Sequence, residues 1–406
     1  MKVVLRIALG IIAAIGGFVD IGDVVFNTQA GAQFGYELLW AVPIGVVGIT
    51  VYAEMSGRVA AVTRRPVFDV IRTRLGLPTG LVVLVASLFV NVLTLSAEIG
   101  GVALVLQLFF DAPFTLFALL GALGMVTIIW FTPFEGLERL FGYLGLALFV
   151  FVAAALHEHP DWHSVGGGFV PEAKSSTLYW YFVVGLIAAA LMPYEVYFYS
   201  SGAVEERWTP NDLLVNRLNA VVGYGIGGLL SLGLMVAAAQ MFAPAGVVPD
   251  HLGTVPLLAQ IPYGEAGLVL ALLGMLFAIG GAAVDASFAA AYSIAQFAGW
   301  EWGKYRRPSG APRFTLAWLV FFALGLGILM TGIDPLELTE YSVVLSVVAL
   351  PLTYLPVLLM ARDRTFMGEY ANGPIAGTLG WLYFVVLLVV AAAAIPLLLA
   401  TNAGGG

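Results

Sequence analysis

The chain is a succession of apolar runs, each long enough to cross a bilayer as a helix, and this feature excludes a water-soluble globule. A hydrocarbon core of roughly 30 Å takes about 20 residues of helix. Hydropathy and helix breakers divide the sequence into eleven such spans, near 7–32, 38–61, 80–109, 113–132, 137–156, 178–204, 216–243, 266–298, 314–331, 338–360 and 377–400. Only 10% of the residues are charged against 61% hydrophobic, far from ordinary soluble usage. The expectation is one all-α polytopic membrane domain. The absence of Cys excludes disulfides and thiolate metal sites. The start "MKVVLRIALG" is followed by a core too long for a signal peptide, so the first span is expected to be retained.

Cytoplasmic loops collect Lys and Arg, which tests the count. With the N-terminus inside, 16 of the 17 basic residues fall on the inner side, including Lys2, Arg6, Arg58, Arg72 and Arg74, and only Lys174 falls outside. Shifting the count by one span scatters them. The N-terminus is therefore expected in the cytoplasm and the C-terminus outside. The basic residues follow topology and give no footprint for nucleic acid. The outer loops carry Asp111, Glu158, Asp161, Glu172, Asp250, Asp334 and Glu337, a field that concentrates cations at an entrance.

Two spans are interrupted. Span 1 contains "GGFVDIGDVVF" and span 6 contains "AAALMPYEVYFYSS", with breakers and polar groups at membrane depth, where irregular backbone is tolerated only beside protein or a wet cavity. They lie five spans apart. Five is odd, so a second five-span unit enters from the opposite side, and spans 1–5 and 6–10 read as an inverted repeat. The division is 1–156 for the first repeat, 157–176 for an outer loop, 177–366 for the second repeat and 367–406 for the eleventh span and C-terminus. Paired interruptions in matching positions point to a transporter's midplane site.

The donors at the breaks attract a cation. Pro193 has no N–H, so the carbonyl of Ala189 loses its helical partner. Met192 offers a thioether, and Asp20 and Asp23 offer hard anionic oxygens. No Lys or Arg falls at midplane depth in any span, so a compensating metal ion explains two aspartates in lipid-embedded sequence.

At these residues the chain resembles the natural resistance-associated macrophage protein (Nramp) family of divalent metal transporters, which share the LeuT-type fold. The likeness runs through "DIGDVVFNTQAGAQFGYELLW", "GLERLFG", "LMPYEVYFYSS" and "DRTFMGEYAN". It implies metal ligands at Asp20, Asp23, Ala189 and Met192, a break at Pro193, and supporting or coupling roles for Glu98, Tyr194 and, in span 10, Ser342 or its neighbour Val343. With the family's Pro absent, the break in span 1 is expected to rest on Gly22, Gly16 and Gly17, and Glu195, opening the second half of span 6, suits either a helix cap or a supporting role. The departures are specific. The family's Pro is Ile21, its Asn is Asp23, two of its His positions are Tyr194 and Tyr199, and Leu95 stands where proton-coupled members carry Asp. Two members of the family's proton route are thus missing, and Asp23 is the residue through which a proton linkage could instead run.

The leading expectation is a secondary transporter of a divalent cation working by alternating access, with the metal as substrate, no cofactor, and a proton as candidate coupling partner. The thioether favours Mn²⁺ or Fe²⁺, while the added carboxylate pulls toward a harder ion such as Mg²⁺. Cation-coupled transport of a small organic amine or amino acid on the same fold is the alternative. No HExxH or GxSxG motif and no histidine occurs within a span, which argues against an intramembrane enzyme. Glu54 and Arg58 are spaced for an intrahelical ion pair. Asp285 lies deep in span 8 with no Lys or Arg three or four residues away, and "HEHPDWH" reads as a solvated outer loop.

Overall fold

A computed structural model of the chain describes residues 18–110, 112–132 and 134–402, and every regular element among them is helical. Lys2, Arg6, Gly16, Gly17 and Asp111 lie outside the described residues. The half of span 1 that follows its break is α1 (Ile21–Phe34), capped by the Asp20 carboxylate, which accepts from the Asp23 N–H at 2.8 Å. Span 2 is α2 (Ala41–Thr63).

Between spans 2 and 3 the sequence reads as a charged inner loop. The structure instead forms a short helix there, α3 (Val67–Leu75), burying Val67, Phe68, Val70 and Ile71. These positions recur at helical spacing on one face, and Arg65 pairs with Asp69 at 2.7 Å on the other. The many charges conceal this stripe from hydropathy.

Spans 3 to 5 follow as α4 (Leu77–Phe109), α5 (Phe114–Phe131) and α6 (Phe134–Gly145), the last running through a 3₁₀ turn into α7 (Phe149–His157). The outer loop holds the short α8 (Trp162–Gly167). Span 6 is split into α9 (Thr177–Ala189) and α10 (Pro193–Glu205). Span 7 is α11 (Leu213–Leu218), a π turn at Asn219–Gly223, and α12 (Tyr224–Met241).

Span 8 is α13 (Leu257–Ala298), beginning earlier than the expected 266. Gly264, at φ 60°, bends the chain behind Pro262, so the outer turns are helical without extending the straight span. The remainder is α14 (Pro312–Leu329), α15 (Pro335–Arg362), α16 (Arg364–Met367) and α17 (Pro374–Ala400).

Nine helical stretches among the described residues are long and apolar enough to cross a membrane. With α2 and the broken first span they account for the eleven expected. Burial follows position in the bundle: the most apolar window of α9–α10 is 94% buried, and those of α5 and α17 are 28%. The broken span is therefore the centre, and α5 and α17 form part of the lipid-facing wall.

Candidate functional site

The second interruption falls where the sequence places it, whereas Gly22, expected at the first, is helical in the opening turn of α1, because the Asp20 cap starts the helix at Ile21. Chain geometry is bent at Val19 and extended at Asp20 before α1 begins. α9 stops at Ala189, residues 190–192 are non-helical, and Pro193 restarts the helix from its first position, where a missing N–H costs nothing. The Tyr354 hydroxyl donates to the freed carbonyl of Leu191 at 3.3 Å, tying the second break to α15.

Gly22 shows how closely the breaks approach. A Cβ built there would stand 2.8 Å from Val343 Cγ2, 3.1 Å from Asp20 Oδ1 and 3.7 Å from Met192 Cε. Spans 1, 6 and 10 therefore meet around one point, and only glycine leaves it open. Asp20, Asp23, Ala189 and Met192 are each 1% exposed.

The carboxylates are half-satisfied. Asp20 Oδ1 accepts the Asp23 N–H, while Asp20 Oδ2 has no partner. Asp23 Oδ1 accepts Asn27 Nδ2 and Ser231 Oγ, each at 3.0 Å, and Asp23 Oδ2 has none. Buried polar atoms are nearly always paired, so one orphaned oxygen on each of two neighbouring carboxylates marks a place for a positive ligand. Among the described residues no three His, Asp or Glu gather closely enough to hold a metal alone. A metal here would draw on the Met192 sulfur and on the Ala189 carbonyl, to which Pro193 has no N–H to give.

Glu98 approaches from α4, with both carboxylate oxygens 3.4 Å from the Ile21 nitrogen. Tyr194 is fully buried and within electrostatic range of Asp20, Glu98, Glu195 and Asp285. Glu195 sits in the first turn of α10, 7% exposed, with Oε2 unpartnered. Asp285 is half-buried on α13. Among the described residues none of the partners of Asp20, Asp23, Glu98 or Glu195 is Lys or Arg. The region is a buried carboxyl cluster suited to a cation. Ser342 is buried at 2%, but the α15 residue against Gly22 is Val343, so that span brings methyl groups to the opening.

Sequence reasoning missed Asn27 and Ser231. Asn27 lies four residues after Asp23, a spacing that places it on the same helical face. Ser231, on α12, has no such signal, because its contact crosses 208 positions of chain. Elsewhere Glu54 and Arg58 pair at 3.1 Å, and Arg58 also donates to the Tyr370 carbonyl and to Asn372 Oδ1. On the outer side Lys174 pairs with Glu37 at 2.7 Å, which holds its ammonium above the usual lysine range. His157 packs near Tyr263, and His251 stands 3.9 Å from Asp250.

The family model described as "Natural resistance-associated macrophage protein-like" matches residues 10–396. A "Divalent metal cation transporter MntH" of Aeromonas hydrophila is 27% identical over 394 residues, covering 93% of this chain and 92% of the relative. The protein of the same name from Deinococcus radiodurans is 25% identical, covering 93% and 86%. Among solved structures, the Eremococcus coleocola manganese transporter in complex with an aromatic bis-isothiourea compound superposes with a TM-score of 0.79 at 18% identity, over 96% of this chain and 85% of that one. MhsT in complex with L-phenylalanine gives 0.60 at 15% identity, over 96% and 98%.

Proposed function

Because the chain belongs to the natural resistance-associated macrophage protein-like family, we propose that it moves a divalent metal cation across the membrane by alternating access, with the ion bound where spans 1, 6 and 10 meet. The observation that carries this reading is the pair of unpartnered oxygens on Asp20 and Asp23, beside a glycine-held opening that the Met192 thioether also lines. The curated relatives are named as divalent metal cation transporters, and a structural neighbour as a manganese transporter.

In this reading Asp20 Oδ2, Asp23 Oδ2, the Ala189 carbonyl and Met192 Sδ hold the ion. Asn27 and Ser231 orient the Asp23 carboxylate by occupying its other oxygen. Glu98 steadies the break through Ile21, and Tyr194 and Glu195 line the same buried region. Pro193 marks the break in span 6, and Gly22, in the first turn of α1, leaves room between the spans. The inverted halves, 1–156 and 177–366, rock about the ion, with the N-terminus in the cytoplasm and the C-terminus outside. The protein acts as a carrier rather than an enzyme.

Sulfur favours Mn²⁺ or Fe²⁺ over Mg²⁺, which holds its water tightly and gains little from a thioether. The second carboxylate pulls the other way, and Mg²⁺ carriage is the reading it favours. Uptake into proteoliposomes, with Mn²⁺ and Mg²⁺ in parallel and with and without a pH gradient, decides between them. Mn²⁺ uptake abolished by Asp20→Ala and unaffected by amino acids is the expected result. Amino-acid uptake with no metal flux would overturn it.

A further inference from the structure

α4 carries a polar stripe of which the binding site uses only the Glu98 end. Ser87, Asn91, Thr94 and Glu98 recur at steps of four, three and four residues, so they share one helical face. They are between 0% and 1% exposed. Ser87 Oγ, both side-chain polar atoms of Asn91, and Thr94 Oγ1 have no hydrogen-bond partner. Asp20, Asp23 and Asn27 repeat the spacing around α1, but each of them keeps a partnered side-chain atom, whereas Ser87, Asn91 and Thr94 have none. Thr28, Ser293 and Ser346, by contrast, are satisfied by their own backbones, and the other unpartnered buried hydroxyls, of Tyr181 and Tyr197, stand singly on their helices.

The stripe has a direction. At one end Glu98 meets the Ile21 nitrogen, and Gly101, one turn on, faces the Ile21 side chain. At the other end Gly80 faces Phe297 and the backbone of Arg72, on the arginine-rich side of the bundle. From Glu98 to Ser87 the helix rises about 16 Å.

The candidate ligand set also leaves something unmet. Two carboxylate oxygens, a carbonyl and a thioether are four donors, whereas Mn²⁺ and Mg²⁺ take about six. The missing donors are water, and an ion leaving a buried site needs more of it. Neutral hydroxyl and amide groups, each able to donate and accept, are what a file of water requires of its wall.

We propose that Ser87, Asn91 and Thr94 line a water path from the level of Glu98 to the arginine-rich face, through which the bound ion is hydrated and released. Arg72 donates to the Phe297 carbonyl at 2.5 Å and closes the mouth of this path in the present conformation. The proposal rests on the ion-binding reading above for its purpose, but not for its test.

The absence of cysteine makes the test direct. Asn91→Cys and Thr94→Cys, each the sole thiol, are exposed in proteoliposomes to a membrane-impermeant methanethiosulfonate from either side. Phe89→Cys, on the lipid-facing side of the same helix at 53% exposure, is the control. Modification from the arginine-rich face at least about tenfold faster than the control, and faster still with Arg72→Ala, is expected; tenfold corresponds to ~1.4 kcal/mol of access. Rates no greater than the control, or equal from both faces, would overturn the proposal. A second variant, Ser87→Ala/Asn91→Leu/Thr94→Val, should retain the calorimetric Mn²⁺ affinity of the parent while uptake slows about tenfold. Undiminished uptake would equally overturn it. Failure of the parent to bind Mn²⁺ would sink the ion-binding reading and leave the labelling result standing on its own.

Discussion

The carboxylate of Glu98 straddles the backbone nitrogen of Ile21, with both oxygens at 3.4 Å across 77 positions of chain. The contact fixes span 3 to the first N–H exposed by the break in span 1. Glu98→Gln keeps an acceptor there and should retain folded protein. Glu98→Ala leaves that N–H without its acceptor, a loss of about 1–3 kcal/mol. Thermal unfolding in detergent should rank parent, Gln and Ala in that order, and equal midpoints for Gln and Ala would refute the role.

Pro193 keeps a carbonyl available by lacking a hydrogen. Pro193→Ala supplies an N–H at the position four residues after Ala189, so the helix can close across the break. Metal affinity should fall about tenfold, near 1.4 kcal/mol, while the protein becomes no less stable. Calorimetric titration beside a melting curve checks both halves.

In the proposed donor set the thioether of Met192 is the soft member. Met192→Ala should narrow the preference for Mn²⁺ over Mg²⁺ by about tenfold, mainly by weakening Mn²⁺. Competition uptake in which the ratio stays constant would remove sulfur from the account of selectivity.

Gly22 is a steric test of the opening. Gly22→Ala places a methyl 2.8 Å from Val343 Cγ2 and 3.1 Å from Asp20 Oδ1, an overpacking cost of about 1–3 kcal/mol. Uptake should drop, and Gly22→Ala/Val343→Ala should recover stability but not full uptake, because the new methyl still faces Asp20. Full recovery of transport in the pair would show that the opening need not be empty.

Arg58 serves three acceptors at once: the Glu54 carboxylate, the Tyr370 carbonyl and Asn372 Oδ1. It is 8% exposed. Removing one member of a buried charge pair costs about 3–5 kcal/mol, so Arg58→Ala should lower the melting temperature by several degrees. Arg58→Lys should recover only part of this, since an ammonium lacks the planar fork. Equal melting of the Lys variant and the parent would show that charge alone suffices.

Much of this site is legible before any coordinates. Asp20, Asp23, Met192 and Pro193 are conspicuous because charge and helix breakers are costly in apolar spans, and Glu54–Arg58 follows from helical spacing. Contacts that cross the chain are not legible. Nothing in the sequence joins Ser231 to Asp23, or says that Val343 rather than Ser342 faces Gly22, because a rotation of one residue along α15 decides it. α3 was hidden for a different reason: its Arg and Asp residues lower the mean hydropathy of a segment whose apolar face is nonetheless continuous.

The rings of Phe68, on α3, and Tyr197, on α10, lie 4.3 Å apart between centroids, both almost wholly buried. A short helix outside the membrane-spanning set thus rests its one aromatic side chain on the half-helix that carries Pro193. Separating α10 from α3 means parting these rings and breaking the bond that the Val67 N–H donates to Ser200 Oγ at 2.9 Å. α3 therefore follows the half-helix as one unit with it, and the two are expected to shift together rather than slide past each other.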